Sequence, residues 1–237
     1  MTNLPSSNLY SVDIEDFKKI LDDNMNYHYM ETGPLENEFD NYVYNVLDYF
    51  KESNTVLNVG CGFGGCSRIL QKHIPSLKIK CITNVKSQYE YTSNYFQTNL
   101  INAEDYSENF KYDIAVFFDS LCHMNADKVI SNAYNYTNKI LIKDYAFLND
   151  DYYYSKRWDM HFRSESNWNR VLLEHGFKVK SFEINNKVLV DKTHKYWYNK
   201  LKEVESNHPQ IEMLKIITQQ KEHKPGKAYC TIYAEKI

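Results

Sequence analysis

The chain has 237 residues, 43% of them hydrophobic and 25% charged. That length suits one large domain, or one domain carrying insertions. A formal net charge of −3 at pH 7 offers no basic footprint, so a nucleic-acid partner is not expected. No apolar run reaches the roughly 20 residues a membrane span needs. The opening MTNLPSSNLY has no basic stretch followed by an apolar core, so no secretory signal is read. The five cysteines (Cys61, Cys66, Cys81, Cys122 and Cys230) are odd in number and form no CxxC. They read as thiols in a reducing compartment, and a cytoplasmic location without a membrane partner is the expectation.

Residues 1–12 are polar. From Asp13 to Phe50 the apolar positions Ile14, Phe17, Ile20, Leu21, Phe39, Val43, Val46, Leu47 and Phe50 follow helical spacing. Gly33-Pro34 divides that stretch into two helices. The pattern then changes. Thr55 to Val59 predicts a strand ending in glycines, Cys66 to His73 a helix stopped by Pro75, Leu77 to Ile82 a strand, and Ser87 to Gln97 a helix. A short third strand falls near Thr98 to Ile101. Tyr112 to Phe118 is continuously apolar, as in a strand buried on both faces. Ala126 to Tyr136 is a helix with Asn125 as its N-cap. Lys139 to Tyr145 predicts a strand, Ser166 to His175 a helix ended by Gly176, and Phe177 to Ile184 a strand. Helices over Lys192 to Val204 and Pro209 to Gln220 precede a last strand, Ala228 to Ala234.

This alternation predicts an α/β fold, a Rossmann-like doubly wound and mostly parallel sheet. N-terminal helices precede the sheet, and a helical insertion lies before the last strand. The chain reads as one domain. Its parts are a helical cap over 1–53, a ligand-binding core over 54–184, an insertion or lid over 185–226, and a terminal strand over 227–237. Ligands of such sheets bind beyond the carboxyl ends of the strands. The chemistry is therefore expected at Gly60 to Gly65, Thr83 to Gln88, Asp119 to His123, and from Tyr145 onward.

VLNVGCGFGG, residues 56–65, concentrates four of the chain's seven glycines. A strand, a glycine turn and a helix let a ligand approach bare backbone. A nicotinamide dinucleotide site needs an acid at the end of the second strand, to hold the ribose hydroxyls. Cys81-Ile82-Thr83-Asn84 supplies none. No Lys-Ser/Thr follows the glycines either, which argues against a phosphate-cradling nucleotide loop.

VLNVGCGFGG resembles motif I of class I S-adenosylmethionine-dependent methyltransferases. CITNVKSQYEY is similar to the second-strand segment of a subgroup, cyclopropane-fatty-acid synthases among them, that has Thr followed by Gln in place of an acid. NAEDY resembles the adenine-side loop, YDIAVFFDSLCHM the fourth strand and its active-site end, NWNRVLLEHGFKV the late helix and strand, and AYCTIYAEK the terminal strand. The resemblance spans roughly Asn54 to Lys236. It implies S-adenosyl-L-methionine as cofactor, S-adenosyl-L-homocysteine as product, and an antiparallel last strand. Gly60, Cys61, Gly62 and Gly64 would meet the methionine part, with Phe118 at the end of the fourth strand beside them. Thr83, Asn84 and Gln88 would hold ribose, and Ala103 and Glu104 would border adenine. Asn58 departs from the family pattern, which has an acid there.

Asp119 and His123 are four apart, so one helical turn sets them on the same side. A His of near-neutral pKa suits a general base for methyl transfer to O or N. The Asp-x-x-x-His arrangement resembles phosphoethanolamine N-methyltransferases, and Asp144-Tyr145 matches the end of their next strand. The expected activity is methylation of an O or N nucleophile of a small molecule, with His123 as base and Asp119 orienting His123 or the substrate. The alternatives are a protein that binds adenosylmethionine without catalysis, and a C-methyltransferase. The substrate side is expected to use Tyr27, Tyr145, Arg157, Arg163 and Trp197. Here DDYYYSKRWDMHFR (150–163) could stack a planar group, cage a cation or clamp an oxyanion through Arg157 or Arg163, or be an aromatic helix packed on the domain. With no HExxH or Cys/His spacing, no catalytic metal is expected.

Overall fold

The computed structural model describes residues 14–21, 25–26, 28–148, 152–155, 159–185, 188–204, 211, 215 and 226–237. Among them run seven α-helices and nine strands. In chain order these are α1 (Ile14–Ile20), α2 (Glu38–Tyr44), β1 (Thr55–Val59), α3 (Gly65–His73), β2 (Lys78–Thr83), α4 (Lys86–Thr92), β3 (Gln97–Leu100), β4 (Ile114–Phe118), α5 (Ala126–Tyr136), β5 (Lys139–Phe147), β6 (Tyr152–Ser155), β7 (Met160–Arg163), α6 (Glu165–Glu174), β8 (Phe177–Asn185), α7 (Val188–Lys202) and β9 (Lys227–Lys236). The sheet order β3-β2-β1-β4-β5 is parallel throughout. β9 pairs antiparallel with β5 and with β8. The doubly wound sheet and its antiparallel last strand are as expected. The order reverses between β1 and β4, and that switch point opens a crevice for ligand.

Side chains alternate along the central strands because of the two-residue pleat. Leu57, Val59, Ala115 and Phe117 face one core layer, with Val129, Ile130, Ala133, Trp168 and Leu172 from α5 and α6. Val56, Ile114, Val116 and Phe118 face the other, with Tyr42, Val43, Cys66, Ile69 and Leu70 from α2 and α3. Both helices of the first layer start on side-chain caps. Asn125 accepts from the Lys128 amide, and Ser164 accepts from the Asn167 amide.

A third cluster joins Phe17, Ile20, Leu21 and Met25 to Phe63, Leu201, Val204 and Ile211. The N-terminal helix and the insertion therefore meet over Phe63, in the glycine loop. The Met30 amide also donates to Thr193 Oγ1 on α7, at 2.9 Å.

Three features differ from the sequence reading. The helix expected over Ser87 to Gln97 ends at Thr92. Asn94 donates to the carbonyls of Glu90 and Tyr91 and closes its last turn, which frees 97–100 to pair with β2. The described parts of DDYYYSKRWDMHFR form a hairpin, β6 against β7, rather than an aromatic helix. Its aromatic, alternating run favours strand, and Tyr153 stacks on Phe147 with centroids 5.7 Å apart. Lys143, expected only as part of a strand, is fully buried and meets Glu31 at 2.7 Å. The helix read over Pro209 to Gln220 lies almost wholly outside the described residues. All five cysteines are buried and none is in a disulfide. Among the described residues no helix is long and apolar enough to cross a membrane.

Candidate cofactor cleft and acceptor turn

β1 ends at Val59, and the chain turns through Gly60 and Gly64, both with φ above +70°. L side chains avoid that region. The amides of Gly60 and Cys61 both donate to the Ile82 carbonyl at 3.0 Å. The loop thus leans on β2 and presents bare Cα atoms, while the Cys61 and Gly62 carbonyls accept from the Gly64 amide and the Thr92 hydroxyl. A Cβ at Gly60 would stand 2.6 Å from Ser120 Cβ and 2.8 Å from Met124 Cε. Glycine here keeps open a cradle that any side chain would fill.

That cradle belongs to a cleft of about 220 Å³ lined by Gly60, Gly62, Thr83, Asn84, Gln88, Ala103, Glu104, Asp119 and His123, with Ile82, Val85, Ile101, Asn102, Ser120 and Met124. The first nine are expected site residues from four separate stretches, brought together at the carboxyl ends of β1 to β4. Three expected cofactor residues do not line it: Cys61 and Phe118 are buried, and Gly64 packs against Thr92.

β2 ends in Thr83, without an acid. The Thr83 hydroxyl accepts from the Val85 amide and donates to Gln88 Oε1, at 3.2 and 2.8 Å. That orientation leaves the Gln88 NH₂ as the donor on its other end. Neutral groups of this kind suit a ribose rather than a cation or a phosphate. Asn102 caps the next turn by accepting from the Glu104 amide, while Glu104 accepts from the Asn125 amide. Sequence reasoning missed Asn102 and Ser120. Asn102 could have been found as an Asx residue directly after a strand. Ser120 ties β4 to β1 by donating to the Val59 carbonyl at 2.7 Å.

Asn58 faces α3. Its Nδ2 donates to Ser67 Oγ at 2.8 Å, and its buried Oδ1 meets no partner among the described residues. It is a neutral brace between β1 and the helix that follows the glycines.

The acceptor side is built on the turn after β4. Asp119 has φ +52°, an uncommon conformation for a residue other than glycine. Its Oδ2 lies 3.9 Å from His28 Nδ1. Asp144, at the same level of β5, accepts from the amides of Tyr145 and Cys122 at 2.7 and 2.9 Å. That second bond pins the Leu121–His123 turn to β5. Asp119, Cys122 and Asp144 gather their polar atoms within 4.8 Å. Burial, and then the neighbouring Asp144 charge, push the Asp119 carboxyl well above its usual range. Burial raises Asp144 to about 6. Two carboxyls so close titrate as one unit and resist carrying two charges.

His123 lines the cleft, and its Nδ1 is 3.1 Å from the Asp159 carbonyl. A carbonyl only accepts, so Nδ1 carries the proton and the basic lone pair sits on Nε2. Burial lowers its pKa to about 4, opposed by that carbonyl. His123 is therefore neutral near pH 7, and a weaker base than the near-neutral histidine expected from the sequence. The structure sets Asp119 and His123 on one cleft but gives them separate close neighbours, His28 for the first and Asp159 for the second.

The remaining substrate candidates scatter. Tyr145 hydrogen-bonds Tyr29 through their hydroxyls and packs edge-on to Phe162 and Tyr229. Trp197 packs on Phe39 and Tyr196. Arg163 is buried between two aromatic rings. Tyr27 and Arg157 lie outside the described residues. His28, which sequence reasoning missed, stacks on Tyr42 at 4.7 Å; nothing in the sequence marks it beyond its place in NYHYMETG.

No protein-family model matches the sequence, and no curated protein matches it. Solved structures share its fold. Coclaurine N-methyltransferase, bound to N-methylheliamine and SAH, aligns with a TM-score of 0.80 at 14% identity, over 98% of this chain and 81% of that one. The cyclopropane synthase MmaA2 from Mycobacterium tuberculosis aligns with a TM-score of 0.80 at 13% identity, over 98% and 97% of the two chains. The 4+2 cyclase SpnF gives 0.80 at 14% identity, over 100% and 98%. The chain thus has the fold of the class I S-adenosylmethionine-dependent methyltransferases.

Proposed function

We propose that this protein is an S-adenosylmethionine-dependent methyltransferase acting on an O or N nucleophile of a small molecule, with His123 as general base. The observation that carries the reading is the His123 ring, neutral and held by the Asp159 carbonyl with its basic nitrogen on the other side, in the cleft that also contains the Gly60 cradle. The cleft fits the cofactor through that cradle, through the neutral Thr83–Gln88 pair at the ribose position, and through Asn102 to Glu104 at the adenine position. When bound, S-adenosylmethionine supplies an electrophilic methyl group on a sulfonium.

The chain's own residues supply the rest. The Asp144–Cys122 bond fixes the turn that carries His123. His123 Nε2 takes the proton of the acceptor. Asp119, turned toward His28, orients the acceptor instead of the base. Positioning of this kind supplies much of the rate in reactions that join two bound groups. The coclaurine enzyme's fold and bound amine support an N acceptor as one member of the class.

Replacing His123 with alanine tests the reading. Labelled-methyl turnover should fall by about 10²–10⁴-fold, while S-adenosylhomocysteine binding measured by calorimetry stays unchanged. Full turnover in His123→Ala removes His123 as the base. A second reading is a protein that holds the cofactor without O or N methylation, whether a C-methyltransferase or a non-transferring binder. The neutral Asn58 and the SpnF cyclase on the same fold favour it. Cofactor binding without labelled-methyl transfer to any O or N acceptor would establish that reading.

A further inference from the structure

Arg163 closes β7, outside the residues that line the cofactor cleft. Its side chain is buried, and the guanidinium carbon sits 5.1 Å from the Trp168 ring centre and 5.5 Å from that of Tyr152. Two aromatic rings thus hold the cation. The polar edge is different. Among the described residues Arg163 Nη1 meets no hydrogen-bond partner, and neither does the fully buried Trp168 Nε1. Among the described residues no carboxylate lies within ion-pair distance of Arg163. The charges of Asp127 and Asp144 reach it only from further off.

A buried guanidinium without an anion is costly, and a buried N–H without an acceptor costs about 1–3 kcal/mol. Aromatic contacts compensate the charge but leave the N–H donors unmet. A guanidinium edge matches a planar carboxylate or a phosphate with two parallel hydrogen bonds. The indole N–H adds a third donor on the same residue pair. Tyr152 is 46% exposed and is tethered at its hydroxyl to His161 Nδ1, at 2.5 Å.

We propose that Arg163 and Trp168 form a binding site for a small oxyanion, a carboxylate or a phosphate monoester, that enters past Tyr152. The site adjoins the acceptor turn. The Arg163 charge is felt at Cys122, and Asp159, which directly precedes β7, holds His123. An oxyanion there is either a group on the acceptor or a separate small anion.

Thermal denaturation of the full chain, with sodium phosphate or sodium acetate balanced against sodium chloride at fixed ionic strength, tests the site without any methyl transfer. Its outcome is therefore separable from that of the catalytic reading. At least one of the two anions should raise the midpoint saturably. Arg163→Met should abolish that rise, and Trp168→Phe, which keeps a ring but loses the N–H, should weaken it several-fold. Without added anion, Arg163→Met should be as stable as the parent or more so, because it removes a buried charge. No rise with either anion, equal rises in parent and Arg163→Met, or a less stable Arg163→Met in the absence of anion would each overturn the proposal. A labelled-methyl screen of acceptor pairs with and without a carboxylate or phosphate identifies the source. A preference for the anionic member that Arg163→Met erases puts the anion on the acceptor. Saturable binding without that preference makes it a free anion.

Discussion

Replacing Gly60 with alanine should damage both the fold and the cofactor cleft. The residue sits at φ +71°, where a Cβ costs about 1–2 kcal/mol. That Cβ would lie 2.6 Å from Ser120 Cβ and 2.8 Å from Met124 Cε. The Met124 methyl is the end of a flexible chain and can withdraw. Ser120 cannot do so cheaply, since its hydroxyl is bonded to the Val59 carbonyl. Overpacking of this kind costs about 1–3 kcal/mol, so the combined loss is on the order of 3 kcal/mol. For a chain of this size that lowers Tm by about 6–12 °C. Ser120 and Met124 also line the cleft, so S-adenosylhomocysteine affinity should drop more than about tenfold, or 1.4 kcal/mol. Gly64→Ala is the comparison. It has a similar φ of +77°, but its nearest obstacle is a Thr92 methyl at 3.0 Å, so a loss nearer 1–2 kcal/mol is expected. Calorimetric unfolding and ligand titration of both variants provide the assay. Unchanged stability and affinity in Gly60→Ala would refute the cradle.

Glu31→Gln or Lys143→Met should each destabilise by about 3–5 kcal/mol, because either leaves one buried charge alone, whereas replacing both with apolar residues should cost far less. Denaturant unfolding of the two single variants and the double variant measures this, and additive losses would contradict it. Asn58→Asp should preserve or tighten adenosylmethionine binding, since the Ser67 hydroxyl that now accepts from Asn58 can turn and donate to a carboxylate; calorimetry would show a large loss if this alignment of β1 were wrong. Acid should also weaken the fold through His28, whose pKa burial, and then the Lys143 charge, lower to about 3. Above pH 6.5 the ring is neutral in both states and contributes nothing. Below it the unfolded chain takes a proton that the folded chain refuses, so stability falls with pH down to about 3. By pH 4.5 this amounts to about 2–3 kcal/mol, partly offset by Asp144, which gains a proton near pH 6 only when folded. His28→Gln should therefore lose less stability than the parent between pH 7.5 and 4.5, as read by urea midpoints, and an equal loss would contradict the burial argument.

The central sheet is legible because strands buried on both faces read as unbroken apolar runs, Ile114 to Phe118 above all. The cleft is legible because doubly wound sheets bring the ends of β1 to β4 together, so Gly60, Thr83, Ala103 and Asp119 share one crevice despite their separation in the chain. The other features depend on contacts between distant segments. His28 matters because α2 and β4 bring it to Asp119, and Lys143 is tolerated inside because Glu31 reaches it from the cap. The pairing of β6 with β7 is not legible because a Tyr-rich run fits a strand or a helix face, and only the partner strand decides. Arg163 stood out as a cation in an aromatic stretch, but its burial and unmet donors follow from the packing of Trp168.

The identity of the ligand in the cleft decides the function of every residue around it. Calorimetric titration with S-adenosylhomocysteine, alongside a nicotinamide dinucleotide, tests it directly. One molecule of S-adenosylhomocysteine should bind per chain, the dinucleotide should not bind, and Gly60→Ala should lose most of the heat. Binding of the dinucleotide, or S-adenosylhomocysteine binding that Gly60→Ala leaves untouched, would contradict the assignment of this cleft.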